Sequence, residues 1–169
     1  VWIDNTLKCE HYGAFTGFNF TADAKAGTHT ITVYVDNIFD KQSFPQKRTD
    51  WFNYGGIARD VSLSKLYGIS ILDNHIVYTL SDDFKSVTVH AELELFNASK
   101  CTESSPLTVA IGDVEIFNGE VMVNARERAL FSTPDVVIDN IELWDMGSPK
   151  LYTVAAKTGK EAMEVFNQA

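Results

Sequence analysis

Two pairs of acidic residues have a spacing that could support acid–base chemistry. Glu92 and Glu94 are two positions apart in an alternating stretch, and Asp82 and Asp83 are adjacent in a turn-like stretch. Hydrolysis of a glycosidic bond uses two carboxyl groups, which are held about 5 to 5.5 Å apart in retaining enzymes. Because apolar residues alternate with Glu92 and Glu94, we interpret both glutamates as the solvated face of a strand. We interpret the two aspartates as solvated turn residues.

Cys9 and His11 are two positions apart, so a strand could point both side chains toward one metal ion. A structural zinc site needs four ligands, and no second pair of His or Cys lies nearby in the sequence. The sequence therefore predicts no metal site, and it offers no cofactor motif. Cys9 and Cys101 form no disulfide framework and are predicted to be ordinary thiols. Glycosylation triplets begin at Asn19 and Asn97, but so short a pattern identifies no site by itself.

The segment from residue 50 to 60, DWFNYGGIARD, is typical of neither a strand nor a helix. The Asp50 carboxylate can accept hydrogen bonds from paired hydroxyl groups beside apolar rings, an arrangement that suits a sugar. Gly55 and Gly56 permit a sharp turn after the rings. A simpler interpretation is that the three aromatic residues pack in a core or a domain interface; these are Trp51, Phe52 and Tyr54.

The composition indicates a globular protein and disfavours two classes of partner. Hydrophobic residues make up 45% of the 169 positions, and the net charge is -9 with the 14 basic residues scattered. A nucleic-acid binder needs a basic patch, so nucleic acid is not an expected partner. No apolar stretch approaches the roughly 20 residues of a membrane span, so no membrane partner is expected. Because the chain begins at Val1 within an apolar run, we expect a processed piece. The compartment stays open, with the cytoplasm favoured over a periplasmic or secreted location.

Period-two alternation dominates the chain and predicts β-strands. It is clearest from Ser86 to Asn97 and recurs from Thr30 to Asp36. Further strands are predicted at 107–111, 114–117, 120–124, 136–143 and 151–157. Thr158 and Gly159 could close a last hairpin, whereas residues 160–169 also fit a helical spacing, so both alternatives remain open there. The fold class is all-β.

A domain boundary is predicted near residues 65–72, which divides the chain into residues 1–66 and 67–169. The second part has the length and strand number of an immunoglobulin-like sandwich. The first part has three or four strands, too few to bury an adequate core at that length. We therefore expect partner strands that precede Val1. Without them, the first part should pair with another copy or be poorly ordered, so a homo-oligomer is one expectation.

Three ordered motifs resemble glycoside hydrolase family 2, the family of β-galactosidases, β-glucuronidases and β-mannosidases. Residues 1–37 resemble the latter half of its N-terminal sugar-binding domain, including the runs VWIDN, EHYGAFTGF and VYVDN. Residues 50–61 are similar to its segment D-F-F-N-Y-x-G-I-x-R-x-V. Residues 141–154 resemble the closing strands of its immunoglobulin-like second domain, L-W-x-P-x-x-P-x-L-Y-x-L. The resemblance covers nearly the whole chain.

The resemblance implies a truncated jelly-roll domain, an immunoglobulin-like domain, and a catalytic barrel that carries both carboxylates and is missing from this chain. The intact enzyme would hydrolyse a β-galactoside or β-glucuronide by a retaining mechanism, and this chain alone would be inactive. In relatives, the aspartate that matches Asp50 binds substrate hydroxyls. Asn53 and Arg59 are expected to brace that loop through hydrogen bonds.

Two other classes of function stay open. A free-standing carbohydrate-binding module would bind a sugar saturably without any further domain. An immunoglobulin-like surface interaction module would be adhesive and would have no sugar chemistry.

Overall fold

The computed structural model describes residues 1–13, 15–38, 40–41 and 54–159, together with the backbone of the strand at residues 162–168. The chain divides into two compact units, Val1–Leu63 and Ser64–Ala169. Within the described residues the regular elements are all strands, and every pairing between them is antiparallel. The predicted all-β fold class is confirmed.

The first unit contains a small sheet of three two-residue strands. These are β1 (Trp2–Ile3), β2 (Thr6–Leu7) and β3 (Ile31–Thr32), and β1 lies between the other two. Asp4 and Asn5 join β1 to β2 with φ angles of 48° and 63°. Positive φ at both central residues is the signature of the tight hairpin turn that Asp and Asn favour.

The strand predicted from Thr30 to Asp36 is wrong in its length. Only Ile31 and Thr32 pair, because β1 offers two residues as partners. Ile31, Val33 and Val35 stay 53%, 40% and 45% exposed. The described residues of this unit therefore provide no surface that covers the apolar face of this run.

The second unit contains eight strands. They are β4 (Ile69–Leu80), β5 (Ser86–Asn97), β6 (Glu103–Ile111), β7 (Val114–Val123), β8 (Arg128–Ser132), β9 (Val136–Asp139), β10 (Tyr152–Thr158) and β11 (Ala162–Gln168). One sheet has the order β4-β5-β8 with β9 also paired to β5, and the other has the order β11-β10-β6-β7. The first, second, fifth and sixth strands of this unit thus form one sheet and the other four form the second, which is the arrangement of an immunoglobulin-like sandwich.

The core lies between these two sheets and follows from strand alternation. In β5 the alternating set Val87, Val89, Ala91, Leu93 and Leu95 is buried, as the sequence predicts. The facing sheet contributes Leu107, Val109, Val154 and Ala156, none of them more than 1% exposed. Burial of such side chains provides the main stabilisation, roughly 25 cal/mol for each Å² removed from water.

Several strand bounds differ from the predicted ones; β6, for example, begins at Glu103 rather than at residue 107. Residues 114–123 form one strand rather than two, because β6 pairs continuously past Asn118 and Gly119, a dipeptide that favours turns. β9 ends at Asp139, where Asn140 takes a φ of 58°. Residues 162–168 are a strand, since β10 pairs with them along its whole length after a turn at Gly159 with φ 65°. β4 and β8 were not predicted.

Candidate substrate-binding segment

The predicted substrate-binding residue, Asp50, lies outside the described residues, as do Asn53, Trp51 and Phe52. Arg59 is described and is exposed, so its bracing role stays a prediction. Tyr54 is 84% exposed. The interpretation of Tyr54 as a packing residue therefore finds no support in the described part of the first unit.

Asn37 and Gly55, which lie on either side of residues 38–54 in the sequence, are in contact. A Cβ atom added at Gly55 would lie 3.1 Å from Nδ2 and 3.2 Å from Cγ of Asn37. Contacts this short mean that the Asn37 side chain would have to move by a few tenths of an ångström to admit a side chain at residue 55. The absence of a side chain at Gly55 allows its close approach to Asn37, so the chain enters and leaves residues 38–54 at one place.

The carboxylates of Asp36 and Asp40 accept hydrogen bonds from nearby backbone and side-chain groups. Asp36 accepts a hydrogen bond from the backbone N–H of Ile38 at 2.8 Å and another from the Tyr34 hydroxyl at 3.3 Å. The Tyr12 hydroxyl donates to Asp40 Oδ1 at 2.6 Å. Tyr12 belongs to the EHYGAFTGF run, and Tyr34 and Asp36 belong to the VYVDN run. These contacts therefore place both runs beside Ile38 and Asp40.

An ion pair in the first unit, between Asp4 and His29, was not predicted from the sequence. The His29 Nδ1 atom lies 2.5 Å from Asp4 Oδ2, and its Nε2 atom lies 2.7 Å from the backbone carbonyl of Lys25. The Asp4 hydrogen bond, aided by this carbonyl, raises the pKa of His29. The His29 hydrogen bond, aided by the Thr30 N–H, lowers the pKa of Asp4. The turn dipeptide Asp4-Asn5 was the one signal that could have located the pair.

A cleft of about 230 Å³ lies beside this pair, with Lys8, Asp23 and Lys25 in its lining. Both ring nitrogens of His29 face acceptors, so the protonated imidazole can donate at both positions. We interpret the pair as a brace between the β1–β2 hairpin and the start of β3. The charged lining suits polar groups rather than an apolar ligand.

On the second unit, the predicted carboxylate pair lies on the outward face of β5. Glu94 accepts from Arg128 at 2.6 Å, and Glu92 lies 4.0 Å from Nε2 of His90. His90 in turn contacts Asp135 at 2.7 Å. Glu92 and Glu94 therefore belong to surface ion pairs, as the interpretation of a solvated strand face requires.

Cys9 and His11 face different neighbours. The His11 ring stacks on Phe18 with ring centroids 4.6 Å apart, and its Nε2 atom lies 3.2 Å from the Thr16 hydroxyl. Both cysteines are free thiols. In residues 1–13, 15–38, 40–41 and 54–159, no group of three or more His, Cys, Asp or Glu side chains is arranged to hold a metal ion. No helix of the described chain has the length and apolar character to cross a membrane.

Tyr152, at the start of β10, forms a tyrosine corner. Its hydroxyl accepts from the backbone N–H of Glu142 at 2.8 Å and donates to the Glu142 carbonyl at 3.2 Å. This corner is a hallmark of immunoglobulin-like sandwiches, where it joins the connection before the strand to the strand itself. The motif at residues 141–154 thus has a structural function.

Comparisons with known proteins agree with this geometry. The model of the family "Glycosyl hydrolases family 2" matches residues 69–168. A β-galactosidase of Thermoanaerobacterium thermosulfurigenes is 31% identical over 91% of this chain and 23% of the relative. A β-glucuronidase of Streptococcus agalactiae is 24% identical over 90% of this chain and 27% of the relative. The crystal structure of a family 2 β-galacturonidase from Eisenbergiella tayi, bound to galacturonate, superimposes with a TM-score of 0.65 and 26% identity over 79% of this chain and 24% of that one.

The chain spans about a quarter of the length of these relatives. The family match covers the whole sandwich from β4 to β11, which is more than half of the chain. On this evidence the chain belongs to glycosyl hydrolase family 2.

Proposed function

We propose that this chain is a non-catalytic pair of β-domains of a glycosidase that hydrolyses a β-galactoside or β-glucuronide with retention. In this proposal, residues 1–66 belong to a jelly-roll sugar-binding domain and residues 67–169 form the immunoglobulin-like domain. The catalytic carboxylates lie on a further barrel domain. The observation that carries the proposal is the family match across a sandwich whose candidate carboxylates, Glu92 and Glu94, lie in surface ion pairs.

Within this proposal, Asp50 binds hydroxyl groups of the terminal sugar, and Asn53 and Arg59 brace the segment. The contact between Asn37 and Gly55 supports this role, because it holds together two described residues that flank Asp50 in the sequence. The Tyr12–Asp40 hydrogen bond would hold the start of the connection between them.

The test compares residues 1–169 with the longer protein from the same reading frame on nitrophenyl β-galactoside and β-glucuronide. Residues 1–169 should release no nitrophenol above buffer, and the longer protein should turn over. Asp50→Ala in the longer protein should lower kcat/KM by about 10²-fold or more, since a lost charged hydrogen bond to substrate is worth several kcal/mol. The matched control is Asp60→Asn, which changes an exposed aspartate of residues 50–60 and should leave kcat/KM unchanged. Turnover by residues 1–169 would overturn the proposal.

A free-standing carbohydrate-binding module is the second candidate. It is favoured by three exposed rings in the first unit, Tyr12, Tyr34 and Tyr54, because exposed aromatic side chains suit the C–H faces of sugars. It predicts saturable sugar binding by residues 1–169 in calorimetry, lost in Asp50→Ala. The first proposal expects no measurable binding, because the pocket needs the further domain.

A further inference from the structure

One end of the sandwich carries five large apolar side chains that the two sheets leave exposed. They lie in the β4–β5 turn and in the β9–β10 connection, and we call them the apolar pole: Phe84 (58% exposed), Leu143 (47%), Trp144 (53%), Met146 (89%) and Leu151 (54%). Single exposed apolar residues are ordinary on a protein surface. Five such residues in two connections at one end of a domain form an apolar patch, and a patch of this kind is typical of a contact surface.

The two connections are adjacent and held in place by hydrogen bonds. The backbone N–H of Ile141 donates to the Lys85 carbonyl at 3.2 Å, which joins the β9–β10 connection to the β4–β5 turn. The ends of the connection are tied by the Tyr152 corner, and its tip is closed by paired backbone bonds between Asp145 and Ser148 at 3.2 and 3.0 Å. An ordered apolar surface loses little conformational entropy when a partner covers it.

Phe84 is a second, independent observation at the same end. It takes a φ of 57°, a conformation that is uncommon and strained for a bulky side chain. The turn itself is formed by backbone bonds between Ser81 and Ser86 and from Phe84 to Ser81, each at 3.0 Å. Glycine or asparagine would adopt this φ with less strain, so the turn alone does not account for an exposed phenylalanine here.

We propose that the apolar pole is the surface on which a further domain of the same polypeptide packs. This inference rests on the proposed function, in which the catalytic groups lie on such a domain. Two facts identify the occupant. Gln168 at the end of β11 pairs with Tyr152, so any polypeptide that follows β11 starts at the apolar pole. The matched relatives are about four times longer than this chain, which leaves a large domain to be placed.

The charges around the apolar pole disfavour a lipid surface as the occupant. Carboxylates outnumber cations at this end: Asp82, Asp83, Asp113, Glu142 and Asp145 stand against Lys85 and Lys150. Anionic membranes attract basic segments, so an acidic rim would be repelled. A second copy of this chain is the remaining occupant, and the experiment separates it from a domain of the same chain.

The test is oxidative footprinting of two exposed methionines, in residues 1–169 and in the longer protein from the same reading frame. Met146 lies in the apolar pole, whereas Met122, 72% exposed, lies on β7 opposite Ser104, toward the other end of the sandwich. We expect Met146 to react several-fold more slowly in the longer protein and Met122 to react equally in both. Equal reaction of Met146 in an active longer protein would overturn the docking surface and leave the proposed function intact. An inactive longer protein would instead overturn the proposed function.

Two controls complete the test. Protection of Met146 that rises with the concentration of residues 1–169 would identify a second copy as the occupant and would also overturn the proposal. In the longer protein, Met146→Lys should place a charge in the covered surface and lower the melting temperature, while Met122→Lys should leave it unchanged. Equal effects of the two variants would count against docking at this end.

Discussion

Asn97 is completely buried where β5 ends, and its side chain uses most of its hydrogen-bonding capacity. Its Nδ2 donates to the carbonyls of Cys101 at 2.8 Å and Val123 at 2.9 Å, and its Oδ1 accepts from the Ser99 N–H at 2.9 Å. These bonds join β5, the following loop and β7. Both amide hydrogens are therefore occupied, and the glycosylation triplet that begins at Asn97 is inaccessible in the folded sandwich.

Replacement of Asn97 should destabilise the second unit measurably. Asn97→Ala removes three hydrogen bonds, including the buried one to the Val123 carbonyl, so we expect a loss of about 1–3 kcal/mol in the free energy of unfolding. Urea denaturation would measure it. Asn118→Ala, an exposed asparagine bonded only to the exposed Glu115, is the matched control and should change stability by less than about 0.5 kcal/mol. Equal stability of both variants would contradict the assigned role.

The Asp4–His29 pair predicts a dependence on pH with a definite sign. The pKa of His29 is raised, so its contribution to stability is complete below the unfolded value of about 6.5 and is lost as pH rises through the folded value. The pKa of Asp4 is lowered, so its contribution is present above its unfolded value of about 3.9 and is lost as pH falls through the folded value. The brace is therefore strongest at mildly acidic pH.

In Asp4→Asn the pKa of His29 should fall toward its ordinary value, because its main partner loses its charge. NMR titration of the His29 ring protons would show the change. Asp60→Asn, which changes an exposed aspartate of the same unit that is not a partner of His29, should leave the His29 titration as it is in the unchanged protein. An unchanged His29 titration would show that the carboxylate is not its main partner.

At the scale of the element, the sandwich is joined by side chains that connect one strand or loop to another. The Thr158 hydroxyl on β10 donates to the Ile69 carbonyl on β4 at 2.9 Å and so bridges the two sheets. Thr133 accepts from the Ala91 N–H at 2.9 Å and bridges the break between β8 and β9. Buried polar contacts of this kind specify register as well as adding stability.

Removal of the Tyr152 hydroxyl should loosen the β9–β10 connection. Tyr152→Phe keeps the ring and loses both bonds to the Glu142 backbone, so we expect a cost of about 1–2 kcal/mol in urea unfolding. Hydrogen exchange should also increase at Glu142, whose N–H loses its acceptor. Tyr78→Phe, an exposed tyrosine on β4, should change neither quantity. Unaltered exchange at Glu142 would show that the corner does not hold the connection.

At the scale of the whole molecule, the two units differ in how much apolar surface they bury. Among residues 64–159 of the second unit, sixteen apolar residues from Ile69 to Ala156 are buried in one core. In the described part of the first unit, apolar side chains such as Tyr34, Ile38 and Val61 are exposed. The first unit therefore needs a covering surface that its described residues do not supply.

We expect residues 1–169 to self-associate through the first unit. Ile31, Val33 and Val35 present one apolar face, and a second copy could cover it. Val33→Thr, which nearly keeps the shape and adds a hydroxyl, should weaken association in sedimentation velocity. Val137→Thr, a matched change on the exposed side of β9, should not. A monomer at every accessible concentration would contradict this expectation.

Much of the second unit could be predicted from the sequence because its physical cause is local. Strict alternation in β5 decides which residues are buried, and turn residues such as Gly159 decide where strands end. The family motifs likewise identified the sandwich and its closing strands. β4 and β8 were not predicted. The bulge between Ile71 and Asp73 shifts the alternation of β4 out of phase, and β8 has only five residues.

Other features were decided only by tertiary structure. Residues 160–169 fit a helix as well as a strand, and the free edge of β10 selected the strand. Asn118 and Gly119 favour a turn, yet β6 pairs past them. The Asp4–His29 brace and the apolar pole join residues from distant parts of each unit, so no local pattern contains them. Local propensities amount to tenths of a kcal/mol per residue, and backbone pairing with a neighbouring strand outweighs them.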